Sequence, residues 1–239
     1  MLDRLSGLST LAGMHRSGYL HLAAILLTGA FCSMLHAEPA VHDFSKWERE
    51  IAAFEKAEAT YPPPKGAVLF TGSSTIRMWT TLAKDFPKTN VINRGFGGCE
   101  IEDITHFAGR IIFPRQPRAI YLRAGGNDLW HGKTTEQVFA DFKEFVRTVH
   151  EKLPDTDIVF ILLSPSPSRW KQAEKEKTTN QLIADFIKGK PRLRYIDVYD
   201  MPLSPDGKPR PDLFIADQLH FNAEGYKLLA ERVRPDLGK

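Results

Sequence analysis

The chain has 239 residues, 42% of them hydrophobic and 26% charged, which is enough for one α/β domain with a full core. Basic and acidic side chains nearly balance, at 32 against 29 and a net charge of +3. With no basic run interleaved with aromatics, composition argues against a nucleic-acid partner.

The N-terminus reads as a leader. Arg4, His15 and Arg16 precede an apolar stretch over 20–35, which ends at Leu35-His36-Ala37. A charged start, an apolar middle and a small-residue end describe a secretory signal peptide over 1–37, with Met14 as an alternative start. The stretch is short for a membrane span and is broken by His21 and Gly29, so the expectation is cleavage after Ala37 rather than an anchor. This implies a secreted or periplasmic protein with no stable membrane insertion after cleavage. Residues 38–239 are then one domain. Of the two cysteines, Cys32 leaves with the leader and Cys99 remains, which precludes an internal disulfide. Cys99 reads as a small buried side chain, with a reactive thiol as the alternative.

Residues 42–59 carry Phe44, Trp47, Ile51 and Phe54 at helical spacing, and Pro62-Pro63-Pro64 gives a stiff lead-in to the first strand. Strands are expected at 67–71, 91–93, 118–124, 157–163 and 193–198. Helices are expected at about 75–85, 100–112, 135–152, 169–188 and 222–233. Strands alternating with helices imply βαβ units and a parallel sheet covered on both faces. Continuous apolar runs such as Val68-Leu69-Phe70 agree with that burial. In such a sheet ligands bind beyond the carboxyl ends of the strands. Three blocks sit there, namely Gly72-Ser73-Ser74-Thr75, Asn93-Arg94-Gly95-Phe96-Gly97-Gly98 and Gly125-Gly126-Asn127-Asp128. A Pro-rich loop over 202–211 leads to a fourth block, Asp217-Gln218-Leu219-His220.

Ser74 is the candidate nucleophile and Ser73 its competitor. A helix cap after the strand is the plain alternative for both. Gly98 offers a backbone N–H that a ligand can approach closely, and Asn127 an uncharged amide that can face an oxyanion. Each is also readable as an ordinary turn residue. Asp217 stands one turn before His220 and can orient it as a base. No His/Cys/Asp spacing typical of a metal site occurs.

The four blocks together resemble the SGNH hydrolase superfamily, the GDSL esterases and lipases, over roughly residues 66–234, in a branch reading Gly72-Ser73-Ser74. The resemblance implies a three-layer α/β/α sandwich with a five-stranded parallel sheet, a flavodoxin-like SGNH hydrolase fold. It assigns Ser74, Asp217 and His220 to catalysis and Ser74, Gly98 and Asn127 to the oxyanion hole, and it needs no cofactor or metal. Cys99 departs from the Asp or Ser that relatives often carry there. The implied activity is hydrolysis of short acyl, acetyl-type esters of a small molecule or carbohydrate. Acyl transfer to a sugar hydroxyl and an inactive carbohydrate-binding module are the competing readings. Trp130, Trp170 and Arg169 are candidate substrate-binding residues. Trp79 is a further aromatic with core packing as its alternative, and Arg94 and Arg123 either bind an anion or pair with acids.

Overall fold

The computed structural model describes residues 42–238. The expected leader over 1–37 and its cleavage point lie outside them. A single 3₁₀ turn, Ser45–Trp47, leads into α1 (Glu48–Thr60). Then come β1 (Val68–Gly72), α2 (Ser74–Arg77), α3 (Leu82–Asp85), β2 (Val91–Gly95), α4 (Ile101–Ile111), β3 (Ala119–Arg123), α5 (Gly126–Trp130) and α6 (Thr135–Lys152). The chain ends with β4 (Asp157–Ile161), α7 (Ala173–Ile187), β5 (Leu193–Ile196) and α8 (Ala223–Leu237). Five parallel strands in the order β2-β1-β3-β4-β5 form one sheet, as the alternating pattern predicts.

The strands are apolar at consecutive positions because both faces are covered. Leu69, Ile92, Ile120, Leu122, Ile158 and Phe160 join the core beneath α1, α4, α6 and α7. Their neighbours Val68, Phe70, Ala119, Tyr121, Val159 and Ile161 join the core beneath α2, α3 and α8. Successive residues of a strand point to opposite faces, so a two-sided sheet demands hydrophobes at every step.

The strand order reverses direction at β1. From β1 the chain steps to β2 on one side and then returns to add β3 on the other. That leaves a crevice beyond the carboxyl ends of β1 and β3, where open α/β sheets bind ligands. Gly72 is in register with both Gly95 and Arg123, so the loops after the three central strands leave the sheet at one level.

The helix expected over 75–85 is instead two short pieces, α2 and α3. The break lets Trp79 enter the core at 1% exposure, and its indole Nε1 donates to Asp85 Oδ2 at 2.7 Å. Thr81 Oγ1 donates to the same carboxylate oxygen, a local side-chain bond that competes with helical continuation. Trp79 is therefore core. The short helix α5 follows Gly125 at φ +112°, inside a block legible only as a turn.

Candidate active site

β1 ends at Gly72, whose φ is +145° and whose absent side chain would sit 2.1 Å from the carbonyl oxygen of Arg123. Only glycine permits that approach between β1 and β3. The chain then turns, with Ser73 N–H donating to Arg123 O, and Ser74 opens α2. At this first helical position its backbone N–H has no intrahelical acceptor.

His220 arrives from 146 residues away. Its Nε2 lies 2.8 Å from Ser74 Oγ, and its Nδ1 lies 2.6 Å from Asp217 Oδ2. The other carboxylate oxygen of Asp217 accepts the backbone N–H groups of Leu219 and His220 at 2.9 and 3.0 Å. An ionised carboxylate only accepts, so Nδ1 carries the imidazole proton and Nε2 turns its lone pair to the serine hydroxyl. Partial burial pulls the Asp217 carboxyl upward. The bonds from the His220 ring and the two N–H groups outweigh it and hold the carboxyl down at about 2.

The turn carrying this pair is closed on itself. Phe214 and Phe221 form an antiparallel bridge, Ile215 N–H donates to His220 O, and Gln218 adopts a left-handed φ of 56°. Asn222 caps α8 through Glu224 N–H and Gly225 N–H and donates back to Asp212 O at 2.7 Å. Tyr226 of α8 donates to Thr75 O at 2.9 Å, tying the histidine's platform to the serine's.

Asn127 lies in α5 and is 7% exposed. Its Oδ1 accepts Arg169 at 2.9 Å, and its Nδ2 donates to Cys99 O at 3.0 Å. The two bonds fix which end of the amide faces which way. They leave the second Nδ2 hydrogen for another acceptor. Gly98 has φ +80°, with Trp47 behind it. It stands one residue before the carbonyl that Asn127 holds, and it does not line the pocket beside Ser74. Cys99 is fully buried, and burial pushes its thiol well up, with Asp103 and Asp128 adding to the effect. Its neighbour Asp128 has no exposure and accepts Ile101 N–H at the start of α4. Burial raises its carboxyl to about 7 despite Lys133 nearby.

The pocket enclosed by Ser74, Asn127 and His220 offers about 60 Å³. Arg169 lines it, as do Arg123, Gln172 and Glu176. Trp130 and Trp170 do not. Trp130 is 55% exposed with the Arg169 guanidinium stacked 4.9 Å from its ring centre, and Lys208 covers Trp170. Arg94 pairs with buried Glu58 and has no part in the pocket. Arg123 donates to Leu162 O and, at 2.8 Å, to Ser164 Oγ. Its burial lowers the guanidinium to about 10, against the opposing pull of Glu176. Gln172 and Glu176 carry no signal in the sequence, because they sit in a Lys/Glu-rich stretch that reads as a solvated helix face. The charged Arg123 inside an apolar strand is the one local sign of a polar pocket.

Among the described residues, His42, Glu100 and Glu102 bring ligand atoms within 4.8 Å of one another. Lys133 already meets Glu100, Glu102 and Asp141 there, and His42 bonds Asp103 at 2.7 Å. The positive charge such a cluster calls for is thus supplied by the chain. No helix among the described residues is long and apolar enough to cross a membrane.

Residues 66–228 match the GDSL-like lipase/acylhydrolase family. The chain is 27% identical over 175 residues to platelet-activating factor acetylhydrolase IB subunit alpha1 of Bos taurus, covering 66% of this chain and 69% of that one. Its fold is similar to a GDSL-like lipase from Bacteroides thetaiotaomicron, with a TM-score of 0.66, 18% identity and coverage of 82% and 97% of the two chains. It is also similar to an acetylxylan esterase from Geobacillus stearothermophilus, with a TM-score of 0.55, 14% identity and coverage of 73% and 95%.

Proposed function

This chain belongs to the GDSL-like lipase/acylhydrolase family and is an ester hydrolase, and we propose that it is a serine esterase for short, acetyl-sized acyl groups. The observation that carries this reading is the chain of contacts from Asp217 through His220 to Ser74, at 2.6 and 2.8 Å. In the proposed reaction His220 Nε2 accepts the Ser74 hydroxyl proton as Oγ bonds to the ester carbonyl carbon. The oxyanion takes hydrogen bonds from Ser74 N–H and the second Nδ2 hydrogen of Asn127, whereas Gly98, which the resemblance assigns to the same hole, lies outside the lining of this pocket. Asp217 holds the imidazole tautomer and stabilises the imidazolium. Collapse breaks the bond to the alcohol oxygen, which leaves with the proton from His220. Water, deprotonated by the same nitrogen, then releases the acid and restores Ser74.

The names of similar proteins support a short acyl group, for they include an acetylhydrolase and an acetylxylan esterase. The latter makes a carbohydrate acetate the leading candidate substrate. The leader over 1–37 supports action outside the cytoplasm.

A serine-reactive phosphonate followed by peptide mapping tests the nucleophile. The adduct is expected on Ser74, with loss of 4-nitrophenyl acetate hydrolysis. An adduct on Ser73, or a fully active Ser74→Ala variant, overturns the assignment.

A further inference from the structure

Ester hydrolysis by Ser74, His220 and Asp217 leaves the polar floor of their pocket without a task. Glu176 and Gln172 line that pocket and are 4% and 6% exposed. Gln172 Nε2 donates to Glu176 Oε1 at 2.8 Å and reaches towards Gly126 O. Gln172 Oε1 and Glu176 Oε2 are buried without a hydrogen-bond partner. Two orphaned acceptors at one place are unusual, since leaving one unsatisfied costs about 1–3 kcal/mol. The guanidiniums of Arg123 and Arg169 also line the pocket, and burial raises the Glu176 carboxyl to about 7 against the pull of Gln172 and of their charges.

The groups exclude most occupants by charge. A carboxylate would suit the arginines but would meet the Glu176 carboxyl and a second lone-pair oxygen on Gln172. An ammonium would suit those acceptors but would face two guanidiniums. An alkyl group would leave both acceptors orphaned in a dry pocket. A neutral hydroxyl donates to one acceptor and accepts from a guanidinium at once. A volume of about 60 Å³ holds a group the size of a hydroxymethyl.

We propose that this pocket is a subsite for a neutral hydroxyl of the substrate, with Glu176 Oε2 accepting its proton and Gln172 holding the Glu176 carboxyl in place. The inference rests on the esterase reading and adds a specificity to it. The hydroxyl belongs either to the alcohol half of the ester, as in a polyol or sugar, or to the acyl half, as in a hydroxy acid.

The test compares kcat/KM within isosteric pairs on the full chain. The first pair is 3-hydroxypropyl acetate against butyl acetate, and the second is ethyl 3-hydroxypropanoate against ethyl butanoate. The hydroxylated member of one pair is expected to win by at least about tenfold, because a site built to bond a hydroxyl rejects the analogue lacking it. The winning pair tells which half of the ester enters the pocket. In Glu176→Leu the ratio is expected to collapse to about one. A ratio is independent of the fraction of active enzyme. If circular dichroism shows that variant unfolded, Gln172→Leu is expected to lower the same ratio. Ratios below tenfold in both pairs, with 4-nitrophenyl acetate still hydrolysed, sink the subsite and spare the esterase. A folded variant that keeps the wild-type ratio also sinks it. Failure to hydrolyse any of the five esters removes the esterase reading itself.

Discussion

Asn127 shows how one side chain is given its orientation by its neighbours. Arg169 occupies its oxygen and Cys99 O one of its amide hydrogens, so the remaining hydrogen is preset before substrate arrives. A donor that needs no reorganisation is the kind that stabilises an oxyanion most. Asn127→Ala should therefore lower kcat by about 10²–10³ with a smaller change in KM. Steady-state kinetics on 4-nitrophenyl acetate decides, and an unchanged kcat reduces Asn127 to a turn residue. The acid side of the pH profile makes a second test. His220 must be unprotonated to take the serine proton, so kcat/KM falls as pH falls. Asp217 is held at about 2, below its ordinary 3.8, and so stays ionised throughout the range in which activity is measurable. One protonation, that of the histidine, should describe the acid limb. The same shift sets the sign for stability. A depressed carboxyl stabilises the fold above its unfolded pKa of 3.8, and that contribution is lost as pH falls towards 2. Asp217→Asn should slow kcat, by up to about 10⁴, and flatten melting temperature against pH between about 4 and about 2. A second activity titration near pH 4 in the wild type would contradict the assignment.

At the scale of elements, the site depends on how closely β1 and β3 approach at their ends. The missing side chain of Gly72 is what lets Ser73 N–H reach Arg123 O and Ser74 start α2. A methyl group there would stand 2.1 Å from that carbonyl, at a φ that side chains rarely adopt. Gly72→Ala should destabilise the protein by about 3 kcal/mol or more, combining backbone strain with overpacking. It should also depress kcat in whatever fraction folds, because Ser74 is two residues further on. Urea unfolding measures the first effect, and a change below about 1 kcal/mol would show that the strands part easily. The elements are largely readable from the sequence because two-sided burial makes strands continuously apolar. The break between α2 and α3 is not, because the bond from Trp79 to Asp85 and the core slot for its indole outrank helical spacing.

For the whole molecule, the leader expected over residues 1–37 is the feature with the largest biological consequence. Its charged, apolar, small-residue order predicts export and cleavage after Ala37. The described domain begins a few residues later and includes no helix suited to span a membrane. N-terminal sequencing of protein recovered from the native envelope or medium should begin at Glu38, and a chain retaining residues 1–37 rejects cleavage.

Sequence alone determined the α/β class, the family, and the four blocks that carry Ser74, Gly98, Asn127, Asp217 and His220. Each of these is written in local terms, as periodicity, a turn glycine, or a carboxylate one turn from a histidine. The tertiary structure alone decided which blocks meet. It seats His220 on Ser74 across 146 residues, puts Arg169 on Asn127, and leaves Gly98 off the pocket wall. It also turns Gln172 and Glu176, from a stretch that looks like solvated surface, into the buried floor of the pocket. The reason is physical. Hydrophobic period tells which face of an element is buried, but the polarity of a buried site is set by side chains from strands and helices that share no sequence neighbourhood.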